Sequence, residues 1–185
     1  MKTKGFLIQD KQEKSDQKIV WERRLTEVNE ITNSLGKGVD EKIKESVATF
    51  LIHEFTTSGS CEGHLTEKGE DKHGLPYPWI EVYAPEPDGW KESEKKQKAW
   101  TIENLKQQQK MMSFLEQFYK DRETPFDARL TFDKVGAYGW FRVQNFGGEM
   151  WSMLILKEQK QKLELYRKEM RDFTEFLKDK YFPKE

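Results

Sequence analysis

The chain has 185 residues, enough for one domain with its own core, and 32 basic residues against 33 acidic ones leave a formal net charge of −1. That balance excludes a global basic surface for nucleic acid or membranes, and a single cysteine excludes an internal disulfide and suits a reducing compartment. No window approaches the roughly 18 apolar residues of a membrane span, and "MKTKGFLIQD" is too polar for a signal peptide, so a soluble cytoplasmic protein is expected.

Residues 1–14 are polar and without period, which predicts a flexible arm ahead of a single domain over 15–185. From Ser15 the steps become helical. Val20, Trp21, Leu25, Val28, Ile31 and Leu35 recur every three or four positions, and Gly36 can close the helix. A second helix follows Asp40, with Ile43, Val47, Phe50 and Leu51 on one face. Residues 55–60 read as a short strand, "GLPYPWIEVYAP" as another between prolines, and "PEPDGWKES" as a turn. A long polar helix over 92–122 is expected to bury Trp100, Leu105, Met112, Leu115 and Phe118 or Tyr119. "ARLTFDKVGAYGWFRVQNF" alternates on both sides of two glycines and predicts a hairpin. Residues 150–181 form the last helix, with Leu163, Tyr166, Met170, Phe173, Leu177 and Tyr181 on one stripe. The order α-α-β-β-α-β-β-α, with short strands and long flanking helices, predicts an α+β fold on a mixed or antiparallel sheet.

The segment "FTTSGSCEGHL", residues 55–65, is the chemically densest in the chain. Its glycines let the backbone approach a ligand closely. Cys61, His64 and His73 stand at C-x2-H-x8-H, a three-ligand metal pattern of the catalytic kind. Cys61 could equally be a nucleophile activated by histidine, and Thr57, Ser58 and Ser60 could cradle a polar ligand with Glu62 and Gly63. A buried, inert Cys61 is the fourth reading. Trp79 and Tyr83 share a side of the following strand and can floor such a site; His53 reads as structural, and Arg129 and Arg142 as solvent-facing.

Residues 35–65, "LGKGVDEKIKESVATFLIHEFTTSGSCEGHL", resemble the tRNA wybutosine-synthesising methyltransferase family. That family carries K-G-x-x-D-x-x-I, a helix, then F-T-T-S-S-C-S-G-R. Lys37, Gly38, Asp40 and Ile43 match the first stretch with one residue fewer before Asp40; Phe55, Thr56, Thr57, Ser58, Cys61 and Gly63 match the second. Gly59 is inserted, Glu62 stands for a serine and His64 for the arginine. The loop is also similar to S-C-E-G-H loops in small bacterial and phage proteins. The family resemblance implies an α+β fold and S-adenosylmethionine as cofactor.

A ligand pocket then follows. Asp40, Cys61 and His64 are its candidate chemical groups, and Lys37, Thr57, Ser58, Ser60, Glu62, Gly63, His73 and Trp79 its candidate binding groups. The ligand class is a small molecule or nucleotide. A histidine in place of an arginine fork, and a near-neutral chain, argue against tRNA. His73 lies in "GEDKHGLP", a surface-turn sequence, so no tightly held metal is expected. The competing function is a non-enzymatic interaction protein or homodimer, using residues 150–181, where "MWSMLIL" is apolar nearly all round.

Overall fold

The structure, a computed structural model, describes the backbone of residues 4–32, 36–65 and 75–182 and the side chains from residue 15 onward within them. Four α-helices and one four-stranded sheet make an α+β fold: α1 (Lys4–Glu30), α2 (Lys44–Ile52), β1 (Thr56–Cys61), β2 (Trp79–Tyr83), α3 (Glu94–Tyr119), β3 (Leu130–Val135), β4 (Trp140–Asn145) and α4 (Leu156–Tyr181). The sheet order is β1-β2-β4-β3 and every neighbouring pair is antiparallel, so the sheet is antiparallel rather than mixed. No helix among the described residues is long and apolar enough to cross a membrane.

Alternation sends Ile80, Val82, Phe141, Val143 and Leu130 to one sheet face, where they meet Val47 and Phe50 of α2, Met111, Leu115 and Phe118 of α3, and Met170, Phe173 and Leu177 of α4. The opposite face carries Trp79, Glu81 and Tyr83 on β2 beside Trp140, Arg142 and Gln144 on β4, by the registers Trp79↔Gln144 and Glu81↔Arg142. A smaller cluster, Tyr77, Ala128, Trp151, Leu163 and Tyr166, packs at the start of α4.

Helix bounds and stripes depart from the periodicity in four places, the first being that α1 ends at Glu30, short of the Gly36 close. α1 takes in most of the segment expected as a flexible arm, because residues 6–30 contain no proline or glycine and are rich in good helix formers. α4 begins at Leu156, not 150; residues 146–148 and 151–153 are 3₁₀ turns, and Glu158 accepts from the Ile155 N–H at 3.1 Å as the helix opens. On α3 the buried stripe is Trp100, Asn104, Met111, Leu115 and Phe118, while Leu105 and Met112 face solvent. Asn104 turns the helix this way: it accepts from the Ala84 N–H and donates to the Tyr138 carbonyl, tying two sheet-edge turns that would otherwise be unsatisfied.

Candidate functional site

β1 leaves the sheet at Cys61, and the chain turns through Gly63 at φ +82°. The turn is held from outside. Arg167 on α4 donates to the Glu62 carbonyl at 3.0 Å, to the Gly63 carbonyl at 2.7 Å and to the Glu62 carboxylate at 3.1 Å. The other Glu62 oxygen accepts from the Lys42 N–H at 2.9 Å, and His64 N–H donates to Leu75 at 3.1 Å. With so many backbone groups paired to fixed partners, the 61–64 turn is a rigid platform rather than a loose loop.

That platform presents three donor atoms to one another. Asp40, just before the 3₁₀ turn at Glu41–Ile43, accepts from the Glu62 N–H at 3.0 Å and from His64 Nε2–H at 3.0 Å. Cys61 Sγ accepts from the Gly63 N–H at 3.3 Å and donates to the Leu75 carbonyl at 3.7 Å. The Asp40, Cys61 and His64 donor atoms all lie within 4.8 Å of one another. Burial pushes the Cys61 thiol up, the Asp40 carboxylate adds to the rise, and the Gly63 N–H opposes it. By itself the sulfur is therefore held as a thiol, which argues against a nucleophile poised for attack.

Beside this turn lies a cleft of about 300 Å³, lined by Lys37, Val39, Thr57, Ser58, Ser60 and Trp79, with the Ile31–Thr32 end of the first helical segment closing one side. A β-bulge between Thr57 and Gly59 shapes its β1 wall, and Ser58 donates to Glu81 at 2.8 Å. The far edge of the Trp79 indole lies over Gly59, where even a Cβ would come within 3.3 Å of the ring. Arg142 stacks on the same indole at 4.2 Å from its centre and pairs with Glu81 at 3.1 Å, so this arginine is spent on the sheet instead of reaching into solvent. The Trp79 Nε1–H is buried with no hydrogen-bond partner among the described residues. A larger groove of about 440 Å³ between α2 and α4 is lined by Glu41, Lys42, Glu45, Arg171, Asp172 and Glu175. It offers mixed charge and no aromatic wall, and so no means of recognising a planar ligand.

The structure thus brings Asp40, Cys61 and His64 together, and gathers Lys37, Thr57, Ser58, Ser60 and Trp79 around the neighbouring cleft. Glu62 and Gly63 serve the clamp, with Gly63 packed against Tyr77 and Leu163. His73 lies outside the described residues. His53 is structural: its ring meets the Leu177 carbonyl at 2.8 Å. Arg167 was invisible to spacing because its partners are 104 and 105 positions away. The only local signal is a cation on the helix stripe beside Tyr166. No protein-family model, curated protein or solved structure matches the chain.

Proposed function

We propose that this chain binds a small planar ligand of the nucleotide class in the cleft between the Lys37–Val39 segment and β1. One observation carries the reading: two stretches separated by the whole of α2, together with Trp79, converge on a single cleft. Each lining group has a use there. Trp79 offers an aromatic wall for a base, Thr57 and Ser60 offer hydroxyls to sugar or phosphate oxygens, Ser58, whose proton goes to Glu81, can accept from a sugar hydroxyl, and Lys37 brings positive charge to the rim.

The likeness of residues 35–65 to the wybutosine-synthesising methyltransferases suggests S-adenosylmethionine as the ligand. It would supply an electrophilic methyl group. In that enzymatic form Asp40 and His64 would hold the N–H of an acceptor and take its proton as the nitrogen bonds to the methyl carbon and the sulfonium carbon–sulfur bond breaks, leaving a neutral thioether. The existing Asp40–His64 hydrogen bond orients the imidazole for this. Calorimetry of the full chain against S-adenosylmethionine, S-adenosylhomocysteine and adenosine monophosphate tests both levels. Heat with the first two supports the methyltransferase form, heat with the monophosphate alone supports a nucleotide site, and no heat at millimolar ligand removes the proposal.

A second reading, self-association, is favoured by Met150, Met153, Ile155 and Leu156, which stay 59%, 78%, 65% and 47% exposed in the approach to α4 and at its first residue. The buried stripe of α4 is used by the chain's own core, which confines such a surface to this short segment. Sedimentation decides: a dimer converted to monomer by Ile155→Glu supports it, and a monomer at every concentration sinks it.

A further inference from the structure

We propose that Asp40, Cys61 and His64 form a divalent-metal site, best suited to zinc, with a coordination position left open to solvent. A thiolate, an imidazole and a carboxylate are all zinc ligands, and three protein ligands with an open fourth position are the arrangement of catalytic rather than structural zinc. Cys61 and His64 are three apart in sequence, and the third ligand comes from a different part of the chain. The sequence alone points to His73 for that role and, finding it in a surface turn, expects no metal. Asp40 changes the argument, because it is fixed beside His64 by the Glu62 N–H.

The geometry is close to what an ion requires. Bonds of about 2.0–2.3 Å put tetrahedral ligand atoms roughly 3.3–3.8 Å from one another. Here the His64–Asp40 pair is at 3.0 Å and no pair of the three donor atoms exceeds 4.8 Å, so side-chain rotation suffices to seat an ion. The supporting contacts are those that hold ligands in place. Gly63 N–H points at the sulfur, Glu62 N–H points at the carboxylate, and Arg167 pins the backbone carrying both amides. Access is graded as well: Cys61 is 3% exposed, while the Asp40 and His64 side chains keep 32% and 38%. The sulfur is shielded and the metal's fourth position faces water.

Charge balances on binding. The ion displaces the Cys61 thiol proton to solvent and replaces the hydrogen bond between His64 Nε2 and Asp40: the neutral imidazole exchanges its Nε2 proton for one on Nδ1 through solvent, which frees the Nε2 lone pair for the metal. Thiolate and carboxylate then neutralise the dication, which removes the cost of burying any one of the three charges alone. The site adjoins the cleft through Val39 and Ser60, the chain neighbours of Asp40 and Cys61, but it does not depend on a nucleotide being the ligand there.

The test uses the full chain, stripped with chelator and titrated with cobalt(II) and then zinc(II). The expected result is about one cobalt per chain, a near-ultraviolet thiolate-to-cobalt charge-transfer band, visible bands of tetrahedral cobalt, and loss of all of them on adding one equivalent of zinc. Cys61→Ser should abolish the charge-transfer band. Asp40→Ala and His64→Ala should each weaken zinc by more than the roughly tenfold to hundredfold that loss of a supporting group costs. A wild-type chain that gives no thiolate-to-cobalt band and retains less than about a tenth of an equivalent of zinc overturns the proposal, whatever the variants do. So does equal binding by wild type and all three variants.

Discussion

Arg167 donates to the carbonyl oxygens of both Glu62 and Gly63, so a residue on α4 fixes the turn that carries Cys61 and His64. Its side chain is 11% exposed and that of its Glu62 partner 14%, which makes the clamp a largely desolvated one. Removing it strands two carbonyls and a carboxylate together.

Arg167→Ala is therefore expected to destabilise the fold by about 2–4 kcal/mol, since a buried charge loses its partner and two acceptors lose their donor. Arg167→Lys should recover only part, because one ammonium cannot reach three oxygens in the fork geometry. Denaturant unfolding measures the loss, and hydrogen exchange should show faster exchange at Gly63 and His64. Equal stability of the alanine variant would show that the clamp contributes nothing.

Gly63→Ala should cost about 3 kcal/mol or more. The positive φ is strained for any residue with a Cβ, and that Cβ would sit 2.8 and 2.9 Å from the Tyr77 backbone and 2.7 Å from Leu163. Backbone on β2's approach cannot swing aside as a flexible side chain can. Gly36→Ala is the control: its φ is +73° but nothing lies within 4 Å, so about 1 kcal/mol is expected. The two denaturation midpoints, compared directly, separate collision from backbone strain.

Stability should fall as the pH drops below about 6.5, with His53 as one source. Burial lowers its pKa below the ordinary 6.5, against a raising contribution from its bond to Leu177. The unfolded chain then binds the proton first, so the contribution is complete above about 6.5 and is lost as pH falls toward the folded value. The slope from one such group is at most about 1.4 kcal/mol per pH unit. Asp127 and Asp172, both held low by lysine partners despite burial, add losses only at pH below the ordinary carboxylate range. His53→Gln, which can still donate to Leu177, should flatten the curve between pH 6.5 and 5 without changing it below 4. An unchanged curve in that upper window would assign the slope to other groups.

If the cleft holds a nucleotide-class ligand, Trp79→Leu should weaken binding by about tenfold or more, the cost of one lost base-stacking surface. Lys37→Ala should weaken an anionic ligand and leave adenosine nearly untouched, because its contribution is charge at the rim. Lys106→Ala, whose ion pair with Glu103 lies on the outer surface of α3, should change neither. Calorimetry on the three variants checks the set, and equal affinities for Trp79→Leu and wild type would move the ligand out of this cleft.

The local periods of the sequence were enough for the element order and for much of the core. Leu163, Tyr166, Met170, Phe173 and Leu177 repeat at helical spacing and are buried, and the two glycines at 136 and 139 mark the turn that sets the β3–β4 register. A repeat of three and four residues is a property of one helix and can be read without knowing what the helix touches. The phase of the stripe on α3 could not be read in the same way, because Asn104, a polar residue, is buried to serve Ala84 and Tyr138 on other elements. The candidate site divides along the same line. The 55–65 segment announced itself by composition, but the placing of Asp40 beside His64, 24 positions away, and of Arg142 over Trp79 came from tertiary packing. Contacts of that range depend on how helices and sheet close around the core, and no pattern within a short window of residues encodes them.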